Sequence, residues 1–134
     1  MRLKDKVILI TASTRGIGLA ITKACAEEGA IVYMGARNLE RAGQRADELN
    51  QKGFRVKYVY NDAYEPETYD SMVEEVVKNE GRIDVLVNNF GTSDPKKDMD
   101  ISHTDCKDFL HIVNTNLTSV FAASQAAIKY METQ

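Results

Sequence analysis

The chain has 134 residues, 43% of them hydrophobic and 28% charged, with a formal net charge of −3 at pH 7. These values are typical of one globular domain with a real hydrophobic core, and the mild negative charge argues against binding to nucleic acid or anionic membranes. No apolar run reaches the roughly 20 residues that span a bilayer, and no signal peptide is expected before Val7. Two cysteines, Cys25 and Cys106, suggest no disulfide framework, so a cytoplasmic location is expected.

The amino-terminal stretch predicts a strand, a glycine-containing turn and a helix. The apolar run Val7–Ile10 predicts the strand, and the turn Thr11–Gly18 leads into an amphipathic segment. One face of this helix is expected to be buried, with Ile17, Ala20, Ile21, Ala24 and Cys25. Such a turn aims free backbone N–H groups and the positive end of the helix dipole at a phosphate. A Gly-x-Gly turn alone is weak evidence for a nucleotide site. With a strand before it and a helix after it, however, a nucleotide site is favoured over a plain βα turn.

Short apolar runs then alternate with helical patterns along the chain. Further strands are predicted at Ile31–Met34, Val56–Tyr60 and Val85–Val87. Asn38 is expected to cap one intervening helix, and Gly81 to end the next. Helices that alternate with nearly continuous apolar strands indicate a parallel sheet covered on both faces. We therefore predict a doubly wound, Rossmann-type α/β fold with the strand order 3-2-1-4.

A last helix is predicted from Asp105 to Met131, opened by a Ser102-x-x-Asp105 capping box. Its apolar row is expected to be buried and consists of Phe109, Ile112, Val113, Leu117, Val120, Phe121, Ala127 and Ile128. Asn116 falls inside this row, where an amide costs free energy unless it is hydrogen-bonded. It could break the helical hydrogen-bond ladder and hold a water there, or it could be a packing or capping residue. No metal site is predicted, since nothing completes a zinc set around His103 and Cys106.

Polar motifs follow the strands and recur in the last helix. They are Thr11-Ala12-x-x-x-Gly16-Ile17-Gly18, Asn61-Asp62, Asn88-Asn89-Phe90-Gly91 and Asn114-Thr115-Asn116-Leu117. Their order and spacing resemble the short-chain dehydrogenase/reductase family over the whole chain, although they match only the amino-terminal half of that family's fold. The Asn-Asn-Phe-Gly variant and the loop after it look most similar to bacterial NADP-dependent 7-alpha-hydroxysteroid dehydrogenases, which act on bile acids.

The resemblance implies a role for each matching residue. The cofactor's pyrophosphate would be cradled by Thr11, Ser13, Thr14, Arg15, Gly16, Ile17 and Gly18. Asp62 would meet the adenine amino group, and Asn116 corresponds to the family's active-site asparagine. The adenosine and nicotinamide ribose would be lined by Asn88, Asn89, Phe90 and Gly91. Ala12 replaces the first glycine, which is tolerable only where its φ is negative, and Phe90 replaces a usual alanine near the nicotinamide.

The end of the second strand predicts which cofactor is used. NAD-preferring Rossmann domains place a carboxylate there to bind the ribose hydroxyls. Here the position is Ala36, followed by Arg37, and Arg15 lies within the turn. Two guanidiniums can clamp a 2′-phosphate, so we expect NADP(H) as the cofactor. The alternative is that Arg37 is an ordinary surface arginine at a helix start.

The family's proton-transfer residues are a serine and a Tyr-x-x-x-Lys pair, and Tyr130 has Gln134 where the lysine would stand. Residues 1–134 are thus expected to be a single incomplete domain with a truncated sheet. This domain would be the NADP-binding half of an oxidoreductase. The whole enzyme would interconvert a small-molecule alcohol and ketone, such as a bile-acid hydroxysteroid. Alone, the chain is expected to be inactive and to form a homo-oligomer through its sheet edge and last helix, which helps form the subunit interface in the family. The alternatives are a non-catalytic dinucleotide-binding fragment that needs a missing carboxyl-terminal half, and an unstable truncation product.

Overall fold

Four strands alternate with four helices in the computed structural model, which describes all residues from Met1 to Gln134. The strands are β1 (Val7–Ile10), β2 (Ile31–Ala36), β3 (Arg55–Tyr60) and β4 (Val85–Val87). The helices are α1 (Gly16–Glu27), α2 (Leu39–Asn50), α3 (Glu67–Glu80) and α4 (Cys106–Met131). None of the helices is long and apolar enough to cross a membrane.

All four strands are parallel and lie in the order β3-β2-β1-β4, which confirms the predicted α/β fold and strand order. Val7 of β1 lies opposite Ile31 of β2, and Ile8 lies opposite Val85 of β4. The chain winds outward from β1 to β3 and then returns to place β4 on the other side of β1. This reversal opens a crevice at the carboxyl ends of β1 and β4, where open α/β sheets bind ligands.

Strand β1 is the centre of the fold, because its alternate side chains enter two different cores. Val7 and Leu9 belong to the core formed with α3 and α4. Ile8 and Ile10 belong to the core that α1 and α2 cover on the opposite face of the sheet. All four side chains are buried, so the turn that follows β1 starts from a rigid strand end.

The predicted buried face of α1 is right only in part, because Ile21 and Cys25 are half-buried and pack against the core. Ile17, Ala20 and Ala24 are exposed, and the residues that face the sheet are Gly18, Thr22 and Ala26. Small residues let the helix approach the strands closely, and the Thr22 hydroxyl is satisfied by donating to the Gly18 carbonyl at 3.0 Å. Hydrophobic periodicity located the helix correctly, but it missed the small residues that are fully buried.

The large apolar side chains of α4 were also expected to be buried, and most of them point outward. Five of the predicted residues, together with Leu110, which was not predicted, form what we call the α4 apolar stripe. Its six side chains are between 44% and 67% exposed: Phe109, Leu110, Leu117, Val120, Phe121 and Ile128. At 3.6 residues per turn they share about a third of the helix circumference. The face that packs inward consists of the small residues Thr115, Ser119, Ala123, Ala126 and Ala127, of which only Ala127 was expected to be buried. Their size allows close packing of α4 on the fold, and the outward stripe is left without a partner within the chain.

Two of the predicted helix caps are present and one prediction is wrong. Asn38 caps α2 by accepting a hydrogen bond from the Arg41 N–H at 3.0 Å. Gly81 ends α3 in the left-handed region, with φ of 76°. The cap of α4 is Asp105 itself, whose carboxylate accepts from the Lys107 N–H at 2.8 Å. Ser102 takes no part, because its N–H donates to Asp100 in a separate turn.

Candidate functional site

A cleft of about 470 Å³ lies at the carboxyl ends of the strands, where the strand order reverses. Its walls come from the turn after β1, the start of α2 and the loops after β3 and β4. Nine residues predicted to bind a cofactor line it: Thr14, Arg15, Gly16, Ile17, Arg37, Asp62, Asn89, Phe90 and Gly91. The fold therefore brings together residues that are up to 77 positions apart in the sequence.

The other predicted residues lie behind the cleft wall and hold it in place. The buried Thr11 hydroxyl accepts from the backbone N–H groups of Asn89 and Phe90, both at 3.0 Å. Ser13 is also buried, and its hydroxyl donates to the Ile10 carbonyl at 2.8 Å. The Asn88 amide donates to the Ser124 hydroxyl on α4 at 3.1 Å. These bonds join the turn after β1 and the loop after β4 to the rest of the fold.

Gly18 sits where the first turn of α1 meets the turn after β1. A Cβ atom added there would lie 2.6 Å from the Asn89 side-chain nitrogen, 2.7 Å from the Ser13 Cα and 2.8 Å from the Ala12 carbonyl oxygen. Side chains do not tolerate such distances, so only glycine lets the helix start this close to the loop after β4. The role of Gly18 in the structure is to position the cleft wall, since it does not line the cleft itself.

Ala12 does not have the negative φ that was expected of it. Its φ is +50°, and its carbonyl accepts from the Asn89 amide at 3.0 Å. The turn needs a residue in the left-handed region to aim this carbonyl at Asn89. An alanine adopts that conformation at a cost of about 1 kcal/mol. Ala12 is therefore a strained residue in the glycine turn.

We expect Ala12→Gly to raise the free energy of unfolding by about 0.5 to 1 kcal/mol, because glycine removes the strain and keeps the turn. Urea denaturation measures the change. Ala20→Gly, on the exposed face of α1, is the matched control and should lower the free energy of unfolding by about 1 kcal/mol. Equal losses in both variants would show that Ala12 is not strained.

The arginines of the chain divide into two groups. Four of the seven form ion pairs with carboxylates: Arg2, Arg45, Arg55 and Arg82. The remaining three, Arg15, Arg37 and Arg41, form no ion pair, and all three line the cleft. Asp62 is the only carboxylate among the lining residues. Unpaired guanidiniums gathered around one cleft favour an anionic ligand with several oxygen acceptors.

Arg41 was not among the residues predicted from the sequence. It lies four residues after Arg37, in the first turn of α2, and its nearness in sequence to Arg37 was the available signal. The end of β2 carries the buried Ala36, so no carboxylate stands between the arginines and the cleft.

The loop after β3 forms the opposite rim of the cleft. The Asp62 carboxylate accepts from the Tyr64 N–H at 2.9 Å, which shapes the loop as a tight turn. The Tyr64 ring stacks on the His111 ring of α4, with centroids 5.8 Å apart and planes 5° apart. Both aromatic residues were missed, because the stack joins segments that are distant in sequence. It holds this rim against α4.

Asn116 is half-buried in α4, and both atoms of its amide bond the backbone of Thr92. Its oxygen accepts from the Thr92 N–H at 2.9 Å, and its nitrogen donates to the Thr92 carbonyl at 3.0 Å. The helix continues unbroken from Cys106 to Met131, so the first of the two alternatives for Asn116, a break in the helix, is absent. Asn116 therefore clamps the loop after β4, which lines the cleft.

The carboxylates whose pKa is lowered lie away from the cleft. Burial would raise the pKa of Asp84, but hydrogen bonds from Arg82 and from the Val7 N–H hold that pKa below its usual value. Asp84 thus ties the start of β1 to β4. No group of three or more His, Cys, Asp or Glu side chains could hold a metal ion.

Sequence comparison decides the family. Residues 6–134 match the family model described as short chain dehydrogenase. The chain belongs to the short-chain dehydrogenase family. Members of this family are oxidoreductases that bind a nicotinamide dinucleotide.

Two similar short-chain dehydrogenases are the 7alpha-hydroxysteroid dehydrogenases of Paraclostridium sordellii and Clostridium sardiniense. Each is 45% identical to this chain, over 97% and 98% of it respectively. The matched regions are 49% and 50% of those proteins, so the chain spans about half the length of the curated relatives it matches.

Solved structures of other short-chain dehydrogenases share the fold. One from Mycobacterium smegmatis has a TM-score of 0.89 and 33% identity, over 98% of this chain and 53% of that one. A gluconate 5-dehydrogenase from Burkholderia cenocepacia, in complex with NADP and tartrate, has a TM-score of 0.86 and 32% identity, over 97% and 50%.

Proposed function

We propose that this chain is the NADP-binding half of an oxidoreductase that interconverts a secondary alcohol and a ketone on a hydroxysteroid. The observation that carries the cofactor assignment is the set of three unpaired arginines around the cleft. A 2′-phosphate supplies the negative charge and the oxygen acceptors with which Arg15, Arg37 and Arg41 can pair. NAD has no such group, and no carboxylate at Ala36 would bind its ribose hydroxyls.

The lining residues fit the rest of such a cofactor. The amino terminus of α1 offers N–H groups to the pyrophosphate, and Gly16 adds no side chain in the way. Asp62 would accept from the adenine amino group, while Asn89, Phe90 and Gly91 would line the ribose units. When bound, the nicotinamide supplies hydride exchange with the substrate carbon. This chain's own residues bind and orient it, and Asn116 fixes the loop after β4 through Thr92.

The steroid substrate is proposed from the relatives named 7alpha-hydroxysteroid dehydrogenase, at 45% identity. Phe90 contributes to this proposal, because it lines the cleft beside Gly91 where the family usually has alanine. Its ring reduces the space near the nicotinamide position and presents an apolar surface to a hydrophobic substrate.

We also propose that a second copy of this chain covers the α4 apolar stripe. Six large apolar side chains along one face of a 26-residue helix form an exposed patch of the kind that marks a protein interface. The outer edge of β4 adds unpaired backbone groups at the end of the sheet.

Titration of the purified chain with NADP(H) and NAD(H) tests the cofactor assignment. We expect NADP(H) to bind at least 10-fold more tightly, and Arg37→Ala to weaken NADP(H) binding about 10- to 100-fold, since a hydrogen bond to a charged group contributes about 1.5 to 3 kcal/mol. NAD(H) affinity should change little. Arg2→Ala removes an exposed arginine outside the cleft and should leave both affinities unchanged. Equal affinities for the two cofactors in the unmodified chain would contradict the assignment.

A further inference from the structure

The inner and outer parts of the turn after β1 are held differently. Ser13 is anchored to the sheet, because its N–H donates to the Gly35 carbonyl at 3.4 Å and its hydroxyl donates to Ile10. Thr14 makes one hydrogen bond, in which its carbonyl accepts from the Arg45 Nε at 3.3 Å. The outer part of the turn therefore depends on a side chain from α2.

Arg45 is itself held in place by Glu48. Its Nη1 donates to both carboxylate oxygens of Glu48, at 3.1 and 3.0 Å. This exposed ion pair offsets the charge of the guanidinium and restrains its Nη1 end. Arg45 does not line the cleft, in contrast to Arg15, Arg37 and Arg41. It is thus placed to act on the turn and not on a ligand.

The bond between Arg45 and Thr14 connects the two sides of the arginine cluster. On one side, Arg15 follows Thr14 in the turn. On the other side, Arg41 lies one helical turn before Arg45 on α2, and Arg37 directly precedes the cap of that helix. The Arg15 carbonyl accepts from the Leu19 N–H at 3.2 Å, which ties Arg15 to α1. The contact of Arg45 with Thr14, outside the cleft, is what ties this side of the cluster to α2.

We propose that Arg45 is a positioning residue that holds the turn after β1 against α2 and so sets the affinity for a 2′-phosphate. The proposal rests on the function proposed above, in which the three cleft arginines bind that phosphate. Arg45 itself does not contact the cofactor. It holds the Thr14 carbonyl, and the position of Thr14 determines where the neighbouring Arg15 lies.

Two substitutions separate the hydrogen bond from the charge. In Arg45→Gln, the amide nitrogen is bonded to Cδ just as Nε is in arginine, so an N–H donor remains at the same point without the charge. In Arg45→Lys, the charge remains, but a methylene group takes the place of the Nε donor.

We expect Arg45→Lys to weaken NADP(H) binding about 3- to 10-fold, as for the loss of one hydrogen bond. Arg45→Gln should stay within about twofold of the unmodified chain, and NAD(H) affinity should be unchanged in both.

A second measurement needs no cofactor. NMR relaxation of the free chain gives backbone order parameters for Thr14, Arg15 and Gly16. In Arg45→Lys these should fall from about 0.85, which is typical of rigid backbone, toward about 0.6, and in Arg45→Gln they should not fall. If the cofactors bind equally well but the order parameters fall as expected, the proposed function is wrong and the hold of Arg45 on the turn stands. If Arg45→Lys keeps both its affinity and its order parameters, or if Arg45→Gln loses both, the inference is overturned.

Discussion

The Gly18→Ala variant should lose about 2 to 3 kcal/mol of unfolding free energy, because an added methyl group has no space at this position. Its Cβ would lie below 3.0 Å from the Asn89 amide nitrogen, the Ser13 Cα and the Ala12 carbonyl oxygen. Two of these atoms belong to the backbone of the turn, so relief requires α1 or the turn to move. Such a shift also displaces the N–H groups at the start of α1, and we expect NADP(H) binding to become undetectable.

Gly91→Ala is the matched control for this prediction. A Cβ at Gly91 would have nothing within 4 Å, and its φ lies outside the left-handed region. The free energy of unfolding should therefore change by less than about 0.5 kcal/mol. Urea denaturation of both variants gives the comparison. A Gly18→Ala chain as stable as Gly91→Ala would show that α1 does not require the close approach described here.

The Phe121→Glu variant should be monomeric at concentrations where the unmodified chain forms dimers. Phe121 is 67% exposed within the α4 apolar stripe, so a glutamate there is solvated in the monomer and does not disturb its fold. In a dimer, the same carboxylate would be buried against apolar side chains without a partner. Removal of a central aromatic residue and burial of a charge together should weaken association by at least about 100-fold. Sedimentation velocity across a concentration series measures this change.

Gln125→Glu adds the same charge to an exposed position of the same helix, outside the stripe. It should associate as the unmodified chain does. If the unmodified chain is monomeric at high concentration, or if both variants associate equally, the α4 apolar stripe is not an interface between copies. Cofactor titration of Phe121→Glu then shows whether the monomer keeps a competent cleft.

The strands and the turn could be predicted because their signals are local. A continuous apolar run such as Val7–Ile10 admits few structures other than a strand buried on both sides, and a glycine turn directly after it sets the start of α1. Strand order then followed from the handedness of the crossovers, without any knowledge of contacts.

The faces of α1 and α4 could not be predicted from periodicity. A hydrophobic pattern shows that a helix has an apolar side, but it does not show whether that side meets the sheet or remains outside. Both helices pack inward through small residues, such as Gly18 in α1 and Ala123 in α4, because their backbones approach their neighbours closely. The larger residues, such as Ile17 and Phe121, therefore point outward.

The contacts that complete the candidate site could not be predicted from the sequence either. Arg45 reaches Thr14 across 31 positions, and Tyr64 reaches His111 across 47. Each pair meets only because the crossovers bring α2 beside the turn and α4 beside the loop after β3. The residues that line the cleft carry motif signals, whereas those that support it are ordinary surface residues until the fold is known.

The two hydrogen bonds between Asn116 and Thr92 have a thermodynamic consequence. They join α4, which carries the outward apolar stripe, to a loop that forms part of the cleft wall. Occupancy of the cleft and the proposed pairing of two copies would therefore act on one continuous structural unit. By linkage, any factor by which pairing changes cofactor affinity must equal the factor by which the cofactor changes the pairing constant. If two copies pair and this factor differs from one, the measured cofactor affinity depends on the concentration of the protein.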